Sequence, residues 1–206
     1  GTKLCDMLTD KNKTYRTVLV LGKKTDTQDI SGEVIEEKEV PGDLQESQVR
    51  EAVLSFVGDY DQIPPMYSAL KVNGKKLYEL AREGIEIERE ARPITIHSLA
   101  STPTERDSDY ILDVSCSSGT YIRTLCADIG ANLGCGGAMA TLCRTRAGDF
   151  EISNSHTLEE LEAMKKPGTK VRIIRMRKVP FIDSTGVNNL RNLCERTRKR
   201  GVTVIL

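Results

Sequence analysis

The chain has 206 residues, with 30 Lys and Arg against 30 Asp and Glu, a formal net charge of zero. Hydrophobic residues are 38% and charged ones 29%, a balance that fits a globular chain and excludes a disordered or collagen-like one. No apolar run approaches the roughly 18 residues of a membrane span. The opening GTKLCDML lacks the apolar core of a secretory signal.

The charge is unevenly placed. Residues 167–206 hold 10 Lys and Arg against 2 Asp and Glu, a net of +8, which leaves a net of −8 for residues 1–166. So large a swing points to two units of different character. The six cysteines form no CxxC pair, and His97 and His156 complete no zinc pattern. The cysteines read as reduced thiols, mostly in the core, which makes the cytoplasm the expected compartment, and no zinc site is expected.

Thr14–Gly22 alternates and is rich in β-branched residues, which predicts a strand. TDTQDISG (25–32) is a polar loop. Asp26 and Asp29 in it are oxygen donors, but the loop lacks the ligand count of an EF-hand. Glu33–Glu39 reads as a second strand. Gln45–Val57 carries Val49, Ala52, Val53 and Phe56 at helical spacing. Pro64-Pro65 stiffens the chain ahead of a strand expected over Tyr67–Val72, and Asn73-Gly74 signals a tight turn. A helix is expected over Lys76–Arg82, with Gly84 just past its end. Ala91–Thr102 and Tyr110–Cys116 read as strands, Thr120–Leu133 as a helix followed by Gly134, and Ala138–Arg146 as extended. Thr157–Met164 is a short helix with Thr157 as N-cap.

KKPG (165–168) then punctuates the chain, and the texture changes. VRIIRM is a strand, DSTG a turn into the amphipathic helix VNNLRNLCERTRKR, and VTVIL a buried-type strand. That order makes one βαβ unit. The run Arg196, Arg198, Lys199, Arg200 reads as a solvated helix end that complements the helix dipole.

In SCSSGTYIRTLC (115–126) a single cation, Arg123, sits among Tyr121, Ile122, Leu125 and Cys126. A charge in such company ordinarily has a dedicated partner. Three stretches, KTYRTVLVLGKKTDTQDISGEV, QIPPMYSALKVNGKKLYELAREG and CSSGTYIRTLCADIGANLGCGGAMATLCRTRAGDF, answer this by resemblance. Through them, residues 1 to about 166 closely resemble TruB-type tRNA pseudouridine synthases, which isomerise a uridine of the tRNA T loop, at position 55 of the tRNA.

The resemblance implies an α+β fold with a large mixed sheet and flanking helices, incomplete here, and a flipped-out target base. It implies tRNA as partner and no cofactor. It also implies roles by position. Tyr15 matches the tyrosine that stacks on the base and is implicated in proton removal from C5. Arg123 matches the arginine that pairs with the nucleophilic aspartate, as a guanidinium fork suits a carboxylate. Leu142 matches an apolar wall of the base pocket. Tyr67, Lys71 and Tyr78 come from a motif near the cleft; Tyr67 and Lys71 are the substrate-binding candidates there, whereas Tyr78 reads equally as packing. The nucleophile itself belongs to a GxLDxxATG segment. The only Leu-Asp pair here, Leu112-Asp113, lies inside an expected strand without flanking glycines. The 206 residues by themselves are therefore expected to be inactive.

RMRKVPFIDSTGVNNLRNLCERTRKRGVTVIL resembles instead part of a STAS domain. That implies a second unit over 167–206 and a regulatory protein partner. It makes Ser184 a possible phospho-acceptor beside Asp183, at a position where either residue equally serves as a plain helix cap. A signalling module and a chimeric chain with no single function are the alternatives to the enzyme reading.

Overall fold

The computed structural model of the chain describes residues 12–72, 74–106, 108–157, 160, 170–174 and 184–205. These residues fall into two units, divided between Ala147 and Gly148.

The first unit is built on a sheet with strand β1 (Lys13–Leu21) inside it. Tyr15, Thr17, Leu19 and Leu21 of β1 are buried, and Arg16 between them faces solvent, the period of two that a half-buried strand requires. Strand β1 pairs antiparallel with β8 (Asp109–Cys116) on one side and β9 (Gly137–Ala147) on the other. Strand β8 pairs antiparallel with β7 (Arg92–Pro103), and β7 with β4 (Gly58–Gln62). The order within this unit is thus β9-β1-β8-β7-β4. All four of these ladders are antiparallel, which corrects the expectation of a mixed sheet. Strands β8 and β9 run in the same sense, but β1 lies between them and opposes both.

Two helices cover one face of this sheet. Helix α1 (Glu46–Leu54) buries Val49, Ala52 and Val53 and packs on β7. Helix α3 (Ile122–Asn132) buries Ile122, Leu125, Cys126 and Ile129 and packs on β9 and β1. They meet Leu19, Ile94, Ile96, Leu112 and Val114 in one hydrophobic core. Each fully buried Leu, Ile or Val stabilises the fold by about 1.5–3 kcal/mol. Gly134 follows α3 with φ +76°, a left-handed conformation that glycine adopts without a Cβ penalty.

Two small antiparallel ribbons flank the sheet: β2 (Lys23–Thr25) with β3 (Val34–Glu37), and β5 (Lys71–Val72) with β6 (Lys75–Lys76). Helix α2 (Leu77–Arg82) follows β6. The strand expected over Tyr67–Val72 is confined to Lys71–Val72. The chain bends through Met66–Ala69 because its hydrogen bonds go elsewhere: the Tyr78 N–H donates to the Ser68 carbonyl and the Leu77 N–H to that of Leu70.

The second unit has its own elements. Strand β10 (Phe150–Glu151) leads into a 3₁₀ turn over Ile152–Asn154. Thr157 and Glu160 cap each other reciprocally, at 3.0 and 3.1 Å, as an N-cap at Thr157 requires; residues 161–164 of the helix expected there lie outside the described residues. Strands β11 (Val171–Ile173) and β12 (Thr203–Ile205) pair in parallel, with α4 (Ser184–Lys199) between them in sequence. Leu193, Cys194, Thr197 and Val204 are buried in this βαβ arrangement.

Candidate active site

The site grows from the buried side of β1. Tyr15 is only 8% exposed. It stands opposite Val114 on β8 and Arg144 on β9, where the β1–β9 ladder carries a bulge between Thr14 and Tyr15. The Arg144 guanidinium lies 5.6 Å from the Tyr15 ring centroid, a cation–π contact. Burial pushes the Tyr15 phenol above its ordinary pKa, and Arg144 opposes part of that rise. The phenol is therefore protonated across the neutral range and presents an aromatic face with a polar tip.

Leu142 stands on β9 opposite Thr17, two residues from Arg144, and is 48% exposed. An apolar side chain so open is free to line a recess for a planar ligand. Thr17 itself is buried and donates to the Thr141 carbonyl at 2.6 Å. Behind it, burial pushes the Cys126 thiol up to about 12, and Cys116 is raised for the same reason. These cysteines pack; neither is poised as a nucleophile.

Arg123 is the second residue of α3 and is half-buried. Among the described residues no carboxylate forms an ion pair with it. Partial contact with water solvates the guanidinium, since only full burial makes an unpaired charge prohibitive. The next residue, Thr124, is buried and donates to the Gln28 side chain at 2.8 Å. Gln28 has φ +61°, a left-handed conformation costing a non-glycine residue roughly 1–2 kcal/mol. The surroundings hold it there: the Met139 N–H donates to the Gln28 carbonyl, and the Ile30 N–H to that of Met139.

Both aspartates of this loop are occupied in shaping it. Asp26 accepts from the Glu33 N–H at 2.8 Å and Asp29 from the Ser31 N–H and hydroxyl at 2.9 and 2.6 Å. Among the described residues no cluster of three or more metal-ligating side chains occurs. The Tyr67 hydroxyl lies 3.4 Å from the second Asp26 oxygen. Tyr67, Asp26, Gln28, Lys24, Arg89 and Ala127 share a groove of about 560 Å³, whose lining includes none of Tyr15, Arg123 and Leu142. Lys71 is exposed on the β5–β6 hairpin, opposite Lys76. Tyr78 is flanked by Lys76 and Arg82, each 5.3 Å from its ring centroid. Ser184 belongs to the second unit, where it opens α4; Asp183 lies outside the described residues.

Sequence reasoning passed over three groups that hold this site. Arg144 lay within a quoted stretch but carried no signal beyond its charge. Gln62, 2% exposed, bonds the Tyr121 backbone twice, and the Tyr60 hydroxyl donates to the Asp128 carboxylate of α3. Burial lifts the Asp128 carboxyl above its ordinary range, and the Tyr60 hydrogen bond opposes that rise. The folded state thus binds this proton more tightly than the unfolded one. Stability from this group is full below about pH 4, where the unfolded carboxyl titrates, and falls as pH rises through the folded value. Asp128→Asn should therefore gain stability relative to the parent as pH rises above about 4, read as a growing difference in urea midpoint. A constant difference would contradict the assignment.

The first unit is thus an α+β domain whose antiparallel sheet carries a buried Tyr15 and an exposed Leu142 beside the helix that bears Arg123. Residues 1–122 match the family model of the TruB family pseudouridylate synthase N-terminal domain, and residues 123–176 that of the tRNA pseudouridylate synthase B C-terminal domain. The chain belongs to the TruB family of pseudouridylate synthases. It is 52% identical over 165 residues to tRNA pseudouridine synthase B of Alkaliphilus oremlandii, covering 80% of this chain and 54% of that protein. With the Bacillus subtilis protein of the same name it shares 46% over 173 residues, covering 82% and 56%. The chain thus spans about half the length of the curated relatives it matches. Among solved structures, it superposes with a TM-score of 0.52 and 26% identity on a chain from a Cbf5–Nop10–Gar1 complex, covering 73% of this chain and 35% of that one.

Proposed function

We propose that this chain supplies the base-pocket part of a tRNA pseudouridine synthase acting on a uridine of the T loop, in the cytoplasm. The observation that carries this is the grouping of Tyr15, with Arg144 on its ring, beside the exposed Leu142 on β9. An aromatic face and an apolar wall suit a base taken out of its stack. Arg123 serves as partner of the nucleophilic carboxylate. Tyr67 stands at the cleft, and Lys71, Lys76 and Arg82 around Tyr78 form a basic, aromatic-bearing patch for the RNA backbone.

The 206 residues alone contain no aspartate in the family's Leu-Asp setting, so as an isolated polypeptide they bind but do not isomerise. Incubation with unmodified tRNA should yield no pseudouridine; turnover would overturn this. Filter binding should show tRNA retained at low salt, with affinity falling as salt rises. Lys71→Ala and Lys76→Ala should each reduce the salt slope by about 1. No retention at low salt would contradict the RNA-binding part of the proposal, which works against the net −8 of residues 1–166.

A second reading gives residues 167–206 a separate signalling role, with Ser184 as phospho-acceptor for a regulatory partner. It draws on one observation, that α4 begins at Ser184 between two parallel strands. The family match through residue 176 takes in β11, which leaves that reading, and the chimeric one, resting on α4 and β12. Absence of phosphotransfer to Ser184 by kinases of STAS-type regulators would remove it.

A further inference from the structure

The helix that carries Arg123 begins without a local cap. Its N-cap residue is Tyr121, which makes no side-chain capping bond, and its first turn holds no acidic residue. A helix start of that kind leaves backbone groups unsatisfied and lets the first turn fray or shift. Here a side chain 59 residues away in sequence supplies what is missing. The Gln62 amide donates from Nε2 to the Tyr121 carbonyl at 3.1 Å, and its Oε1 accepts from the Tyr121 N–H at 2.7 Å. Gln62 is 2% exposed, so water offers no substitute for either bond. The same Tyr121 carbonyl accepts the first helical bond, from the Leu125 N–H at 3.1 Å.

Gln62 does not act from a loose loop. It ends β4, which β7 holds in register through Gly58↔Ile96 to Gln62↔Arg92. Two residues earlier on that strand, the Tyr60 hydroxyl donates to Asp128. Positions 121 and 128 are seven residues apart, close to two full turns, and so lie on one side of the helix. Strand β4 thus grips α3 at its start and again two turns on. A slip of one residue at the start would rotate the first turn by about 100° and swing Arg123 away from its present direction.

We propose that Gln62 is a positioning residue for Arg123: it fixes where α3 begins, and through that the direction in which the guanidinium is offered to a carboxylate. The functional half of this rests on the reading of Arg123 as the carboxylate partner; the clamp itself does not. Glutamine suits this place because its amide both donates and accepts at any pH, whereas a carboxyl does so only when protonated. An ionised carboxylate there would present an oxygen to the Tyr121 carbonyl and repel it.

The test uses the full chain labelled with ¹⁵N. In Gln62→Ala, the Leu125 amide should exchange at least tenfold faster, while Leu133, at the far end of α3, and Leu112, in β8, change much less. Equal acceleration at all three would overturn the inference, since that reports only general destabilisation. Gln62→Glu provides the conservative variant. Its Leu125 protection factor should approach the parent value at pH 5, where the buried carboxyl is protonated, and fall at pH 8; a pH-independent factor would also overturn it. Acetate, as a carboxylate probe, should shift the Arg123 Nε–H resonance saturably in the parent and several-fold more weakly in Gln62→Ala. Equal response in the two proteins would overturn the positioning role. No response even in the parent, with Leu125 behaving as expected, would remove Arg123 as carboxylate partner and leave the clamp standing.

Discussion

A single methyl group added at Gly130 should dislodge α3. A Cβ there would lie 2.2 Å from the Gly136 carbonyl carbon and 2.2 Å from the Gly137 nitrogen. Both are backbone atoms and cannot rotate aside. The contact is sealed by hydrogen bonds: the Gly136 N–H donates to the Gly130 carbonyl at 2.9 Å, and the Gly22 N–H to the Gly136 carbonyl at 3.0 Å. Alanine is favoured over glycine inside a helix by about 1 kcal/mol. Overpacking against a fixed backbone costs roughly 3 kcal/mol or more, so the steric term wins. Set against a typical domain stability of about 5–15 kcal/mol, Gly130→Ala should lower the urea midpoint steeply at unchanged slope. A midpoint equal to or above the parent's would mean that α3 is not seated on the start of β9 as described.

The second large effect concerns Arg123. In a chain where the family's aspartate-bearing GxLDxxATG segment is joined ahead of Gly1, Arg123→Lys should reduce pseudouridine formation by roughly 10²-fold or more, the scale of losing one preorganised charge partner. Lysine keeps the charge but loses the planar fork that meets a carboxylate with two parallel bonds. The helix should survive, since the side chain is half-buried and lysine is a good helix former. Turnover within about threefold of the parent, a difference under 1 kcal/mol, would remove Arg123 from the reaction. Single-turnover tRNA assays with the two fused chains measure the ratio.

The alternating residues of β1, β7 and β8, and the apolar spacing of α1 and α3, are legible because burial on one face imposes a period on the sequence. Gly84 and Gly134 mark helix ends for a reason that is also local. Strand β4 is different. GDYDQ shows no apolar alternation, because an edge strand is decided by the ladder its neighbour offers. The bend at Met66–Ala69 hides for a similar reason: its aromatic and apolar residues favour a strand, but the Ser68 carbonyl is claimed by α2.

The candidate site divides in the same way. Tyr15 and Leu142 read as ordinary strand and core residues until a family resemblance singles them out, and Leu142 proves to be exposed rather than packed. Arg123 is conspicuous on its own, as a charge among apolar neighbours. Gln62 and Gln28 leave no mark, because each is defined by partners that only the fold brings near: the Tyr121 backbone lies 59 residues from Gln62, and the Thr124 hydroxyl lies 96 residues from Gln28.

The proposed base pocket of Tyr15, Leu142 and Arg123 awaits a nucleophilic carboxylate from the family's Leu-Asp segment. Pseudouridine formation in the T loop of unmodified tRNA tests it directly, with the 206-residue chain and the aspartate-bearing fusion assayed side by side. Pseudouridine is expected from the fusion and none from the 206 residues alone. A folded fusion that binds tRNA yet forms no pseudouridine, or turnover by the 206 residues alone, would contradict it.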